Sequence, residues 1–208
     1  MARKTKEEAE KTFHALLEAA ASLFTKQGVA NTTLNEIAKE AGLTRGAVYW
    51  HFQGKDDIIR ALWETYTMPK IEPLDERMLA LTPSNALDNF KGITDDILTL
   101  ISGDRHVGQA MRIIFHNVEI TDNKSDLQDF LRSEKVKFEE VLIHSFTMIS
   151  QNSQFRDGLD ADICALSFLT FIHGLLGQHF DPEDRFDIAT HGKTFMNIFF
   201  NGVIAESL

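Results

Sequence analysis

The stretch from Thr33 to Trp63, TLNEIAKEAGLTRGAVYWHFQGKDDIIRALW, constrains the fold of this chain more than any other part of it. Thr33 with Glu36 three residues on is the capping-box pattern, which opens a helix by satisfying its first free N–H groups reciprocally. Leu34, Ile37 and Ala38 face inward from that helix, and Gly42 ends it after barely two turns. Thr44 caps a second short helix, whose inward residues are Ala47, Val48 and Phe52. Gly54 closes it, and Lys55-Asp56-Asp57 opens a longer one. The outer surface of the second short helix is unusual. Thr44, Arg45, Tyr49, Trp50 and His51 stand where a solvated helix would carry Glu and Lys.

Helical patterning continues on both sides. Between Glu8 and Gln27, the residues Phe13, Leu16, Leu17, Ala20, Leu23 and Phe24 recur at the spacing of an amphipathic helix, with Gly28 as its stop. Ile58, Ile59, Leu62, Trp63 and Tyr66 carry a helix expected to kink or end near Pro69 and Pro73. Further helices are expected at roughly 84–101, 105–120, 124–150, 160–180 and 184–205. The breaks between them carry SGD at Ser102, TDN at Thr121, RDG at Arg156 and DPED at Asp181. No alternating strand pattern, repeat or low-complexity tract is visible, so the expected fold is all-α with about nine helices.

At 208 residues, 43% hydrophobic and 25% charged, the chain can bury one large core or two small ones. The opening MARKTKEEAEKT is charged throughout and lacks the apolar centre of a secretory signal. No apolar run approaches the ~20 residues of a membrane span, and the single Cys164 rules out an internal disulfide. A cytoplasmic protein with no membrane partner is expected. The net charge of -10 argues against nucleic acid until it is divided. Residues 1–60 hold 9 Lys+Arg against 8 Asp+Glu, a net of +1; the remainder holds 12 against 23, a net of -11. Phosphate binding needs local positive charge, which only the first part offers.

Two helices about a glycine turn, the second polar on its outer face, is the helix-turn-helix plan. Arg45 can pair with guanine O6 and N7. Thr44 and Tyr49 can donate to phosphates, His51 can add a hydrogen bond, and Thr33 and Lys55 sit at helix N-termini that favour anions. Trp50 can lie along the DNA backbone or plug the seam to the next helix. The competing interpretation is a compact helical hairpin that merely caps a bundle.

The run TTLNEIAKEAGLTRGAVYWHFQGKDDIIRALW resembles the signature of the TetR family of transcriptional regulators. MARKTKEEAEKT with TRGAVYWHF is similar to its AcrR-like branch of multidrug-efflux repressors, and IIFHNVE (Ile113 to Glu119) resembles a segment of the same branch. The resemblance implies a three-helix DNA-binding domain over 1–54, a six-helix ligand-binding and dimerisation domain over 55–208, and a homodimer on a near-palindromic double-stranded operator. Thr44, Arg45, Gly46, Tyr49, Trp50 and His51 then correspond to the recognition helix, Thr33 to the backbone-contacting start of the helix before it, and Lys55 to the phosphate-contacting start of the fourth. It implies repression, released by a hydrophobic or amphiphilic small molecule.

Of the 16 Phe residues, 13 follow residue 60. Phe90, Phe115, Phe130, Phe138, Phe146, Phe168 and Phe171 recur at helical spacing, which fits an ordinary core or the walls of an apolar cavity. The wall candidates are Trp63, Met111, Phe115, Phe138 and Phe171, with His116 and Glu119 as polar anchors. Gly174 and Gly177 permit close helix approach, and Phe195, Ile198, Phe199 and Ile204 supply apolar surface for a four-helix dimer interface, or for packing within one subunit. No HExxH, CxxC, G-x-S-x-G or phosphate-loop pattern appears, and His173 and His179 are too far apart to share a helix face. Neither catalysis, a cofactor nor a metal is expected. Two alternatives stand beside the efflux repressor: a TetR-type regulator answering a metabolite, and a small helical carrier or enzyme using the bundle cavity.

Overall fold

A computed structural model of the protein describes residues 2–117, 125–181 and 186–205, and the side chains among them except those of residues 2–4, 116 and 117. The described residues form nine helices. They are α1 (Ala2–Gln27), α2 (Leu34–Glu40), α3 (Arg45–His51), α4, α5 (Ala86–Gly103), α6 (Arg105–Asn117), α7 (Asp126–Ser150), α8 (Ala161–Phe180) and α9 (Ile188–Val203). Helix α4 is continuous through three stretches: Lys55–Leu62, a π turn at Trp63–Thr67, and Met68–Leu79. Helix α1 starts at Ala2, earlier than the apolar spacing, which begins at Phe13, suggested. Among the described residues the only extended pairing is an antiparallel bridge between Phe155 and Ile204.

Helix α4 does not end at Pro69 or Pro73. Pro69 has no N–H for the carbonyl four residues back, and its ring crowds that carbonyl. The π turn lies directly before it. There the Met68 N–H reaches back five residues to the Trp63 carbonyl, admitting one extra residue at the point of strain. Pro73 is then carried inside the helix.

The chain divides into two compact units, Met1–Met68 with Gln109–Phe130, and Pro69–Gly108 with Leu131–Leu208. The first is cored by Leu16, Leu17, Ala20 and Phe24 of α1, Ile37 and Ala38 of α2, Val48 and Phe52 at α3, and Ile58, Ile59 and Leu62 of α4, all buried. The amphipathic stripe of α1 is thus the floor on which the short helices stand. At its edge the Tyr66 hydroxyl donates to Glu18 Oε1 at 3.2 Å, and burial, helped by that carboxylate, pushes the phenol up to about 12.

The second unit is built round Phe90 of α5. Its ring centroid lies 5.2 Å from that of Phe146, 5.1 Å from Phe168 and 6.0 Å from Phe200, on α7, α8 and α9 respectively. Edge-on and tilted pairs of this kind add ~0.5–1.5 kcal/mol each to simple burial. Of the seven recurring Phe, Phe90, Phe146 and Phe168 are therefore core, while Phe115, Phe130, Phe138 and Phe171 are half-buried. Gly192 sits where α9 meets α5 closely: a Cβ there would lie 2.9 Å from Leu98 Cδ1, so a side chain would make Leu98 shift. The expectation that no apolar run is long enough to span a membrane is corrected by α8, Ala161–Phe180, which has a mean hydropathy of 1.4 over an 18-residue window. Its apolarity has a local use, since Cys164, Ala165, Phe168, Leu169, Ile172, Leu175, Leu176 and Phe180 are buried within the unit.

Candidate nucleic-acid interface

The frame of the α2–α3 pair follows from its sequence. Thr33 Oγ1 accepts the Glu36 N–H at 3.2 Å, while Glu36 Oε2 accepts the Thr33 N–H at 2.8 Å, completing the capping box. The Thr33 hydroxyl bond and then its backbone N–H hold the Glu36 carboxyl below the usual range. At the other end Gly42 takes φ +67°, its N–H bonds to the Lys39 carbonyl, and the Leu43 N–H bonds to the Ala38 carbonyl. This paired closure turns the chain sharply and needs the left-handed glycine. Thr44 Oγ1 then accepts the Ala47 N–H at 3.3 Å and starts α3.

Val48 and Phe52 anchor α3 to the core, and Phe52 stacks on Phe13 with ring centroids 5.4 Å apart. Everything on the opposite side is exposed: Thr44, Arg45, Gly46, Tyr49 at 49% and Trp50 at 72%. Arg45 is held by Tyr49. Its Nη2 donates to the Tyr49 hydroxyl at 3.3 Å, and the guanidinium carbon lies 5.2 Å from the ring centroid. Gly46 is unconstrained by the protein, since a Cβ there would meet only Thr44 Oγ1, at 3.9 Å. An exposed helical glycine costs ~1 kcal/mol relative to Ala.

Trp50 does not plug a seam. With Glu8, Ala9, Thr12, Ala47 and His51 it lines an open cleft of about 300 Å³ between α1 and α3. The early residues of this cleft were hidden from sequence reasoning because the first turns of α1 show no periodicity. His51 is half-buried, its ring 4.5 Å from Trp50 and 5.8 Å from Phe13. Burial lowers its pKa, favouring the neutral imidazole. Lys55, at the start of α4, donates Nζ–H to the Val29 carbonyl at 2.6 Å and to the Ala30 carbonyl at 3.3 Å. It ties the α1–α2 connection to α4, and one of its three N–H donors is left over.

The remaining sequence candidates are distributed as follows. Trp63, Met111 and Phe115 belong to the first unit, Met111 buried and the other two half-buried. Phe138 and Phe171 belong to the second. Phe171 packs on Phe195 and Phe199 with ring centroids 6.4 and 5.4 Å apart. His116 is in α6 with its side chain outside the description, and Glu119 lies outside the described residues. On α8 and α9, Ile163, Leu166, Phe195 and Ile198 are exposed at 44%, 58%, 37% and 59%. A Cβ at Gly174 or Gly177 would meet nothing within 4 Å. Phe199 is half-buried against Phe168 at 5.3 Å.

Residues 16–62 match the model of the bacterial regulatory proteins of the tetR family. The chain is 31% identical over 205 residues to the HTH-type transcriptional regulator AcrR of Shigella flexneri, covering 95% of this chain and 92% of that one. Among solved structures it resembles NalD, the secondary repressor of the MexAB-OprM multidrug efflux pump in Pseudomonas aeruginosa, with a TM-score of 0.83 at 27% identity, covering 97% of this chain and 100% of that chain. The fold is shared with SmeT of Stenotrophomonas maltophilia in its complex with triclosan, with a TM-score of 0.77 at 22% identity over 94% of this chain and 93% of that one. With a capped helix-turn-helix at its head and likeness along its whole length, the chain belongs to the TetR family of bacterial transcriptional regulators.

Proposed function

We propose that the protein is a cytoplasmic, ligand-responsive repressor that binds a near-palindromic operator as a homodimer and controls a multidrug or bile-type amphiphile efflux operon. The observation that carries this is the outer face of α3. Arg45, Gly46, Tyr49 and Trp50 are exposed together on a helix whose opposite side is locked into the core. Arg45 reads a base, Gly46 allows close backbone approach, and Thr44, Tyr49, Trp50 and His51 contact the adjoining strand. Thr33 and Lys55 position the head on phosphates, with residues 1–54 as the DNA-reading part and 55–208 as the sensing and pairing part. Two subunits pair through α8 and α9, for which the exposed Leu166 and Ile198 and the open space over Gly174 and Gly177 are the support. That pairing sets the recognition helices ~34–36 Å apart, one turn of DNA. An apolar effector, walled in the first unit by Trp63, Met111 and Phe115, favours a dimer state with a different spacing and so releases the DNA.

The test is a gel shift on the DNA upstream of the gene and its neighbours, with Arg45→Ala beside the natural chain. Arg45→Ala is expected to lose ~1–3 kcal/mol of discrimination between operator and scrambled duplex. Equal weakening on both makes Arg45 a phosphate contact. Failure of the natural chain to bind any of its upstream DNA refutes the regulator.

A further inference from the structure

The cleft between α1 and α3 has a chemistry that a DNA backbone does not match. Its walls are Glu8, Ala9 and Thr12 of α1 and Ala47, Trp50 and His51 of α3, round about 300 Å³ of open space. That is the small end of the range for ligand pockets, with room for one aromatic ring and a substituent. Trp50 is the most exposed large apolar side chain described, and its ring meets that of His51 at an interplanar angle of 87°. Indole is the strongest aromatic partner for a cation.

The charge on the cleft has one sign. Among the described residues no Lys or Arg lines it, and burial favours the neutral form of His51. The Thr12 hydroxyl donates to the Glu8 backbone carbonyl at 2.9 Å, so that wall is already satisfied. Glu7 next door is paired with Lys11 at 3.0 Å. The Glu8 carboxylate, by contrast, has no hydrogen bond or ion pair among the described residues. An unpaired carboxylate beside an exposed indole repels a phosphate and attracts an ammonium, which gains a contact with the ring as well.

We propose that this cleft is a ligand site on the DNA-reading head itself, taking a small aryl ammonium ion. The cation lies between Glu8 and the Trp50 indole, and the aryl ring lies against the methyl groups of Ala9 and Ala47. An occupant held there stands against α3, so it competes with duplex DNA for that helix directly, without a change of dimer state. The competition rests on the DNA-reading role proposed above for α3; binding of the ion does not.

Nuclear magnetic resonance of the full-length chain, labelled with ¹⁵N at tryptophan, tests the site. The chain has 2 Trp, and the indole N–H signal absent from Trp50→Leu is that of Trp50. Benzyltrimethylammonium chloride is expected to move this signal saturably, while benzyl alcohol and sodium chloride at equal ionic strength leave it in place. Glu8→Gln should weaken the ion about threefold, and the Trp63 signal reports that the variant is folded. In fluorescence anisotropy with labelled upstream duplex, the ion should weaken DNA binding beyond sodium chloride at equal ionic strength, and less so in Glu8→Gln. A Trp50 signal that does not move, or moves equally with benzyl alcohol, overturns the proposal. Unchanged affinity in Glu8→Gln overturns the carboxylate as the cation's partner and the ligand class with it. Duplex and ion that bind together without weakening one another overturn the competition. If the Trp50 signal answers the ion but the chain binds no duplex, the DNA-reading role of α3 falls and the ion site stands.

Discussion

Lys55→Met separates the structural tie made by the Lys55 ammonium from the phosphate contact proposed for it. In the natural protein Nζ donates to the Val29 and Ala30 carbonyls, 2.6 and 3.3 Å away, holding the α1–α2 connection against the start of α4. A hydrogen bond from a charged donor is worth ~1.5–3 kcal/mol. The shorter bond is half-buried and counts nearly in full, while the longer one is exposed and adds little. Methionine keeps the apolar stem, so the expected loss is about 1–2 kcal/mol. Urea unfolding followed by tryptophan fluorescence measures it selectively. The chain has 2 Trp, Trp50 and Trp63, and both lie in the first unit. With a slope of ~1–2 kcal/mol per molar urea, the fluorescence midpoint should fall by roughly 1 M. The third N–H of the ammonium is free for a phosphate, so the slope of log affinity against log salt should flatten by ~0.9. An unchanged midpoint refutes the tie, and an unchanged salt slope removes Lys55 from the phosphate contacts.

Two further outcomes follow from the second unit. Burial, then the nearby Glu134 and Glu72 carboxylates, raise the Asp75 carboxyl to about 6, and its Oδ1 makes no hydrogen bond. A carboxyl raised in the folded state favours folding at low pH and loses that contribution as pH climbs through the folded value. Asp75→Asn should match the natural chain near pH 4 and exceed it by about 1–2 kcal/mol above pH 7, after allowance for solvent screening; a gap that stays constant across that range sinks the assignment. The double change Leu166→Glu with Ile198→Glu puts charge on the exposed face of α8 and α9 and should give a folded monomer in sedimentation at micromolar concentration. A dimer that persists means the subunits pair elsewhere.

What the sequence disclosed and what it concealed divide along physical lines. Thr33, Glu36, Gly42 and Thr44 act on backbone groups a few residues away, and each did in the structure what local chemistry required. The apolar spacing of α1 likewise announced its buried face. Contacts distant in sequence left no such trace. Nothing near Lys55 reveals that its ammonium would reach back to residues 29 and 30. Pro69 was visible, yet a proline can end, bend or widen a helix, and only the packed structure decides among them. Core and cavity-wall Phe share the same helical spacing, so Phe90, Phe146 and Phe168 could not be sorted from the rest until their rings were seen against one another. Helix α8 misled in the opposite sense. A helix packed on one face and apolar on the other resembles a lipid-facing span in composition alone.

The stacking of Arg45 on Tyr49 bears on how such a regulator changes its target over evolutionary time. A guanidinium already leaning on a ring has fewer rotamers to surrender when it meets a base, so part of the entropic cost of recognition is met before DNA arrives. Replacing Tyr49 would loosen that restraint and re-aim the arginine without altering the residue proposed to read the sequence. On the role proposed for Arg45, operator preference in this head drifts through a neighbouring ring, by small steps, while the arginine and the fold beneath it stay as they are.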